Sequence, residues 1–275
     1  MAEGRSGELI DALALYWRLV GATARSQMQY KFSFFTRVVG NVAATLADFV
    51  AIVVLFGRIP SLAGWTLPEV AFLYGLAVAC FGLAEIFAPG FDYFSPMILR
   101  GGFDRVLTRP RGAFFQTLAT EIAVRKVTRA LQGLAILLVA QASLPVHWTP
   151  AKLLVLALAL PSGGIIFFSI FVIGAASTFW TIQANEAINI FTNGGVAMLS
   201  YPLEVYHIWL RRFATFVVPL AFVSYYPALF ILDRSDPFSL PSWLGVLTPL
   251  AAAIFAAAAS FAWSIGVRHY QSTGS

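Results

Sequence analysis

The sequence has 275 residues, of which 59% are hydrophobic and 11% charged, with a net charge of +5 and a mean hydropathy of +0.78. Soluble domains carry about 25% charged residues, so these figures exclude an ordinary soluble enzyme; because both halves share the bias, they also exclude a soluble domain on a single anchor. Continuous apolar runs such as LLVLALALPSGGIIFFSIFVIGAA do not alternate as barrel strands must. Helices, which satisfy the backbone within each segment, are left as the fold class, an all-α integral membrane protein with room for about six spans.

In chain order, residues 8–30 read as an amphipathic helix lying on the membrane surface. Asp11, Arg18 and Arg25, each seven apart, share one face, with Leu9, Leu13, Tyr16 and Val20 opposite. Residues 38–56 form the first span, interrupted by Asn41 and Asp48, and the connection GRIPSLAGWTLP carries Trp65, a residue suited to the interface. The second span covers 68–88, with Glu85 about one turn from its cytosolic end, where an interfacial or snorkelling carboxylate is expected. Residues 89–112 are polar and basic. From 114 a helix carries Glu121, Arg125 and Arg129 at i, i+4 steps on one face and turns wholly apolar over 130–144, a span with a cytosolic extension. Residues 152–179 make the longest span, free of charge after Lys152.

Hydropathy is ambiguous over 182–232. One reading makes 182–212 cytosolic and 213–232 the fifth span; the other makes 187–203 the fifth span, despite Asn189 and Asn193, and leaves 208–232 as a hairpin entering the membrane from outside. Both lead through DRSDPFSLPSW to a last span at 243–267 and a total of six. Leaving Arg211 and Arg212 aside, thirteen Lys and Arg then fall on one side against Arg58, Lys152 and Arg234 on the other. The positive-inside rule therefore puts both termini in the cytoplasm and the chain, as one transmembrane domain over 1–275, in the cell membrane. Placing Arg211 and Arg212 inside would strengthen that bias and favours the first reading. The charge in the first 37 residues leaves no apolar core for a cleavable signal.

The sequence contains no phosphate loop, H-E-x-x-H, C-x-x-C or G-x-S-x-G pattern. Cys80 is the single cysteine, inside an apolar run, and His147, His207 and His269 are scattered over connections and the tail. No metal, cofactor or catalytic residue is expected in this chain, and its positive charge is explained by topology rather than by a nucleic-acid partner. The most patterned polar stretch is PGFDYFSPMILRGGFDRVLTRPRG. Ser95-Pro96 starts a helix, Gly101-Gly102 breaks it, and FDRVLTRP offers another short turn. Two readings stand side by side: arginines that set topology and touch anionic lipid, or a short interfacial helix docking a cytosolic partner with Phe103, Val106 and Leu107 as apolar anchors.

FGRIPSLAGWTLPEVAFLYGL, then ILRGGFDRVLTRP, then YPLEVYHIWLRRFATFVVPLAFVSYYPALFIL resemble, in order, signatures of the ABC-2 type transporter permeases, in the branch named uncharacterised or multidrug. The resemblance runs over about residues 10–270. The chain departs from the expected pattern at Phe103 (Glu expected), Glu204 (Ser), His207 (Pro) and Asp233 (Gly). The resemblance implies six spans, a connecting helix at 8–30, a cytosolic coupling segment at 96–109 docked on a separate ATPase through Arg100, Phe103, Asp104, Arg105, Val106, Leu107 and Arg109, and a re-entrant hairpin at 208–232, with Pro202, Pro219 and Pro227 belonging to the re-entrant region. It also implies ATP and Mg bound by two copies of that ATPase, and a second permease chain, identical or related, completing the path. It thus favours the second reading of the fifth span.

An ionised Asp at mid-span costs about 2.5–3.5 kcal/mol. Asp48 therefore needs a partner, a proton or a water path; interhelical hydrogen bonding with Asn41, on the same face, and a role in a translocation path together with Asn41 and Glu85 are both open. The competing class is an ATPase-independent channel or secondary transporter working through Asp48. The absence of a detectable internal repeat counts against a secondary carrier.

Overall fold

The computed structural model describes residues 31–120, 123, 126–181, 184–236 and 240–270. The expected surface helix at 8–30, and Glu121 and Arg125, lie outside these. The described residues form α1 (Lys31–Phe56), α2 (Leu67–Phe87), the short α3 (Pro89–Asp92), α4 (Phe94–Leu99), α5 (Gly102–Leu107) and α6 (Ala113–Leu118), then α7 (Val127–Ser143), α8 (Pro150–Ser177), α9 (Ala184–Leu199), α10 (Ile208–Phe216), α11 (Tyr225–Ile231) and α12 (Thr248–His269), with no strand among them. Among the described residues, four helices are long and apolar enough to cross a membrane: Phe35–Phe56, Leu67–Phe87, Pro150–Ser177 and Ser242–His269. A fifth is reached if the pair Ile208–Phe216 and Leu220–Ile231, bent by 76°, is one crossing. The other two segments expected to matter in a six-span count, α7 and Ile188–Leu199, are shorter apolar helices.

α2 is the axis of the bundle: 83% of its apolar window is buried, against 11% for α1. Its start is fixed locally, because Glu69 Oε2 accepts from Thr66 N at 2.7 Å and Thr66 Oγ1 at 2.8 Å, a capping box with Pro68 in the first turn. Along α2 the small residues Gly75, Ala79 and Gly82 meet Ala130, Gly133 and Leu137 of α7. A Cβ on Gly82 would stand 2.4 Å from Ala130 N, and one on Gly133 would stand 2.3 Å from Ala79 N. The two backbones therefore touch, as small residues allow between membrane helices. Gly133→Leu is expected to force them apart. Overpacking costs about 1–3 kcal/mol where side chains can yield; here backbone is the obstacle, so the upper end or beyond is expected, measured as a lower unfolding midpoint and loss of monodisperse protein in detergent. Gly40→Leu, with nothing within 4 Å of the added Cβ, is the control and should be silent.

The continuous helix expected from 114 to 144 is divided in two, α6 and α7. At the end of α6 the hydroxyls of Thr117 and Thr120 bond back to the carbonyls of Ala113 and Gln116, competing with the helical ladder. Beyond it, the Ala123 amide donates to the Ile86 carbonyl of α2 at 3.1 Å instead of continuing its own helix. The resulting α7 has 17 residues, about 25 Å of rise.

At the Leu67 end of α2, side chains far apart in sequence tie the connections together. Trp65 is fully buried rather than placed at an interface: its Nε1 donates to Glu204 Oε1 at 3.1 Å and its ring lies under the Arg234 guanidinium at 4.5 Å. Arg234 also donates to Glu69 Oε1 at 2.7 Å and to the Gly64 carbonyl at 3.0 Å, while the Tyr225 hydroxyl donates to Glu204 Oε1 at 2.9 Å. Lys152 pairs with Asp233. Two positions where the chain departs from the expected family pattern, 204 and 233, are thus occupied by carboxylates that have partners here, and Asp233 takes a positive φ of 54°, a conformation that Asp tolerates better than most residues. The bend between α10 and α11 falls at Pro219, and the two arms are joined by the Thr215 and Tyr226 hydroxyls, 3.2 Å apart.

Candidate functional site

The basic connection after α2 folds into three short helices, α3 to α5, with α6 following it. Gly101 sits in the left-handed region at φ 65°, which turns the chain between α4 and α5 and is open to glycine without a Cβ penalty. The turn divides the residues of α5 and its flanks into two sets. Arg100, Arg105, Leu107 and Arg109 are exposed, Asp104 and Val106 are half-buried, and Phe103 is fully buried. Phe103 therefore is not an apolar anchor offered to a partner. Its ring lies 5.3 Å from Phe94, 5.4 Å from Phe179 and 4.9 Å from Tyr270, and Trp263 extends the cluster through Phe94 and Phe179. The physical reason is local: a six-residue helix standing on an aromatic floor turns its one aromatic side chain inward. The cluster joins α5 to the ends of α8 and α12. Gln116 of α6 holds the other side, donating through Nε2 to the Val106 carbonyl at 2.9 Å.

Glu85 is not left to snorkel. It pairs with Lys126 and, at 3.1 Å, with Arg129, and its side chain is only 10% exposed. The Arg129 guanidinium also stacks over the Phe81 ring at 4.5 Å. Lys126 was missed in the sequence, since its partner is on another helix 41 residues away.

Asp48 lines a cavity of about 260 Å³ between α1, α2, α7 and α9, with Tyr74, Arg129, Asn193, Ser200 and Tyr201 as its other polar residues. The Tyr74 hydroxyl donates to the Thr45 carbonyl at 2.7 Å and so ties α2 to α1. Asn41 and Glu85, which sequence reasoning grouped with Asp48, are not among the lining residues. Tyr74 and Tyr201 were missed; their polar tips inside apolar helices were the available signal. Among the described residues no group of three or more His, Cys, Asp or Glu could hold a metal, and His147, His207 and His269 are exposed, His207 accepting from Trp209 N at 3.4 Å.

The family model described as "ABC-2 family transporter protein" matches residues 42–274. Comparison with curated proteins and with solved structures finds no match.

Proposed function

The chain belongs to the ABC-2 family of transporter proteins, an integral membrane permease subunit of an ABC transporter, and on that premise we propose that it exports a hydrophobic or amphipathic substrate with energy from a separate ATPase docked at 96–109. The observation that carries the docking is the split face of α5: Arg100, Arg105, Leu107 and Arg109 outward, Phe103 locked inward. ATP and Mg belong to the ATPase in this reading, because the sequence has no phosphate loop. Two ATPase copies and two permease chains complete the assembly, and the nearly unburied α1 is a surface that a second chain could cover. In this reading six spans cross the cell membrane with both termini cytoplasmic, α7 and α9 are short crossings, 8–30 is the connecting helix, and 208–232 is re-entrant, a geometry supported by the 76° bend.

Arg105→Glu combined with Leu107→Ala is expected to reduce recovery of the ATPase with the tagged permease at least about tenfold, as one misplaced charge and one lost anchor at an interface centre do, while the permease elutes as wild type. Recovery at the wild-type level would remove the docking assignment. The competing reading, a carrier driven through Asp48, draws on that carboxylate's place in a polar cavity; it predicts transport without any recovered ATPase.

A further inference from the structure

We infer that the cavity around Asp48 is a binding site for an organic ammonium group carried on a small apolar or aromatic body. The inference deepens the reading of Asp48 as part of a translocation path and rests on it. Two charged side chains line the cavity, and they are not equivalent. Arg129 is engaged through one nitrogen and its face: Glu85 accepts from Nη1 at 3.1 Å and the Phe81 ring lies 4.5 Å from the guanidinium, while Nε has no hydrogen-bond partner among the described residues. Asp48 accepts no hydrogen bond and joins no ion pair among the described residues, although it lies in a stretch of α1 that is apolar on both sides. A carboxylate in such a place is costly without a counter-charge in contact with it, and Arg129, the other charged residue of the lining, pairs with Glu85 and forms no ion pair with Asp48.

The remaining lining suits a positive charge. Tyr74 and Tyr201 bring aromatic rings to the cavity, and ring faces attract cations, quaternary ammonium groups among them. The Tyr74 hydroxyl has already given its proton to the Thr45 carbonyl and the Ser200 hydroxyl its own to the Val196 carbonyl. Both oxygens are therefore left presenting lone pairs, a partial negative charge that suits a cation and does not suit an anion. The other walls are apolar, with Ile52, Val78 and Val196 among them. At about 260 Å³ the cavity lies just below the roughly 300–1,000 Å³ of drug-sized sites, so one ring and one cationic head is the scale of ligand it accepts. The same ammonium chemistry could be presented by a lipid headgroup, and the experiment separates the two sources.

The chain is reconstituted in nanodiscs of phosphatidylglycerol, which has no ammonium group, and titrated with radiolabelled phenyltrimethylammonium. Saturable binding is expected. Unlabelled probe should displace it, while tert-butylbenzene, the same shape with carbon in place of the charged nitrogen, and benzenesulfonate, the same ring with a negative head, should not. Asp48→Asn should weaken binding about tenfold or more and Asp48→Glu should keep most of it. Displacement by tert-butylbenzene as effective as by the probe overturns the inference without any variant having to fold, and preferential displacement by benzenesulfonate reassigns the cavity to an anion at Arg129. Unchanged binding by a normally folded Asp48→Asn also overturns it. Nanodiscs containing phosphatidylethanolamine give the source: probe excluded means a lipid headgroup occupies the site, probe retained means a free cation does, and either result carries the ammonium chemistry. A chain that recruits an ATPase but ignores the cation loses this inference and keeps the permease reading; one that binds the cation but recruits no ATPase does the reverse.

Discussion

Glu85→Ala is expected to lower the stability of the purified chain by about 2–4 kcal/mol, read as a clear drop in unfolding midpoint in detergent. Removing one partner of a buried ion pair costs about 3–5 kcal/mol, because the other charge is left stranded. The lower range applies here since Lys126 and Arg129 keep 28% and 21% of their side-chain surface exposed and water screens them in part. The two cations are not equally stranded. Asp92, on α3 outside the spans, has its carboxyl held above the usual range by burial, with Lys126 pulling it down and Glu85 pushing it up. Once Glu85 is gone that push is gone, and Asp92 ionises more readily beside Lys126. Arg129 shares a cavity with Asp48 but forms no ion pair with it, so Arg129→Met added to Glu85→Ala should recover part of the loss, whereas Lys126→Met should recover less. The pH dependence follows with a definite sign. A carboxyl whose folded pKa is raised stabilises the fold below its unfolded pKa, and that contribution disappears as pH rises through the folded value. The part owed to Asp92 should therefore be smaller in Glu85→Ala than in wild type. An unchanged midpoint in Glu85→Ala would mean that α2 and α7 are held by their small-residue contact alone.

The origin of that ion pair marks where sequence reading stopped. The spans themselves were legible, since twenty-residue apolar runs are a one-dimensional signal and Thr66, Pro68 and Glu69 write the start of α2 locally. The partner of Glu85 was not. Arg129 was read as one step of an i, i+4 ladder with Glu121 and Arg125, a pattern along a single helix, while the structure breaks that helix after Leu118 and turns Arg129 toward α2. The break depends on the Ala123 amide finding the Ile86 carbonyl, a tertiary bond that no local periodicity announces. Trp65 fails in the same way. An aromatic in a turn-rich connection has the composition of an interfacial anchor, but its indole is buried and donates to Glu204, 139 positions later. Glu204 and Asp233 could be flagged as departures from a family pattern, yet what they do became visible only with Trp65, Tyr225 and Lys152 beside them. At the cavity, Asp48 was legible as a charge out of place. Tyr74 and Tyr201 were not, because a tyrosine in an apolar helix reads first as packing.

Phe103→Ala is expected to leave the ATPase attached and to disconnect it from transport. The exposed residues assigned to docking, Arg100, Arg105, Leu107 and Arg109, do not depend on the ring, and α5 remains tethered by the Gln116 side chain to the Val106 carbonyl. The variant removes the contact between α5 and the ends of α8 and α12, where Phe103 meets Phe179 at 5.4 Å and Tyr270 at 4.9 Å. Truncating a buried Phe to Ala costs about 3–5 kcal/mol where the surroundings cannot collapse. A rigid aromatic floor collapses poorly, so most of that cost should fall on the local seating of α5. A displacement applied to α5 by closing ATPase subunits would then be absorbed in the gap instead of being carried to the long helices. The assay is the complex of this chain with its ATPase: basal ATP hydrolysis retained, its response to transported substrate lost, and transport reduced about tenfold or more. Phe103→Leu, which restores most of the volume, should recover much of the coupling. Leu107→Ala should behave in the opposite way, losing ATPase recovery while leaving the aromatic cluster intact. Loss of ATPase binding in Phe103→Ala would place the ring in the docking surface itself, against its complete burial, and normal transport would mean that force enters the bundle by a route other than α5.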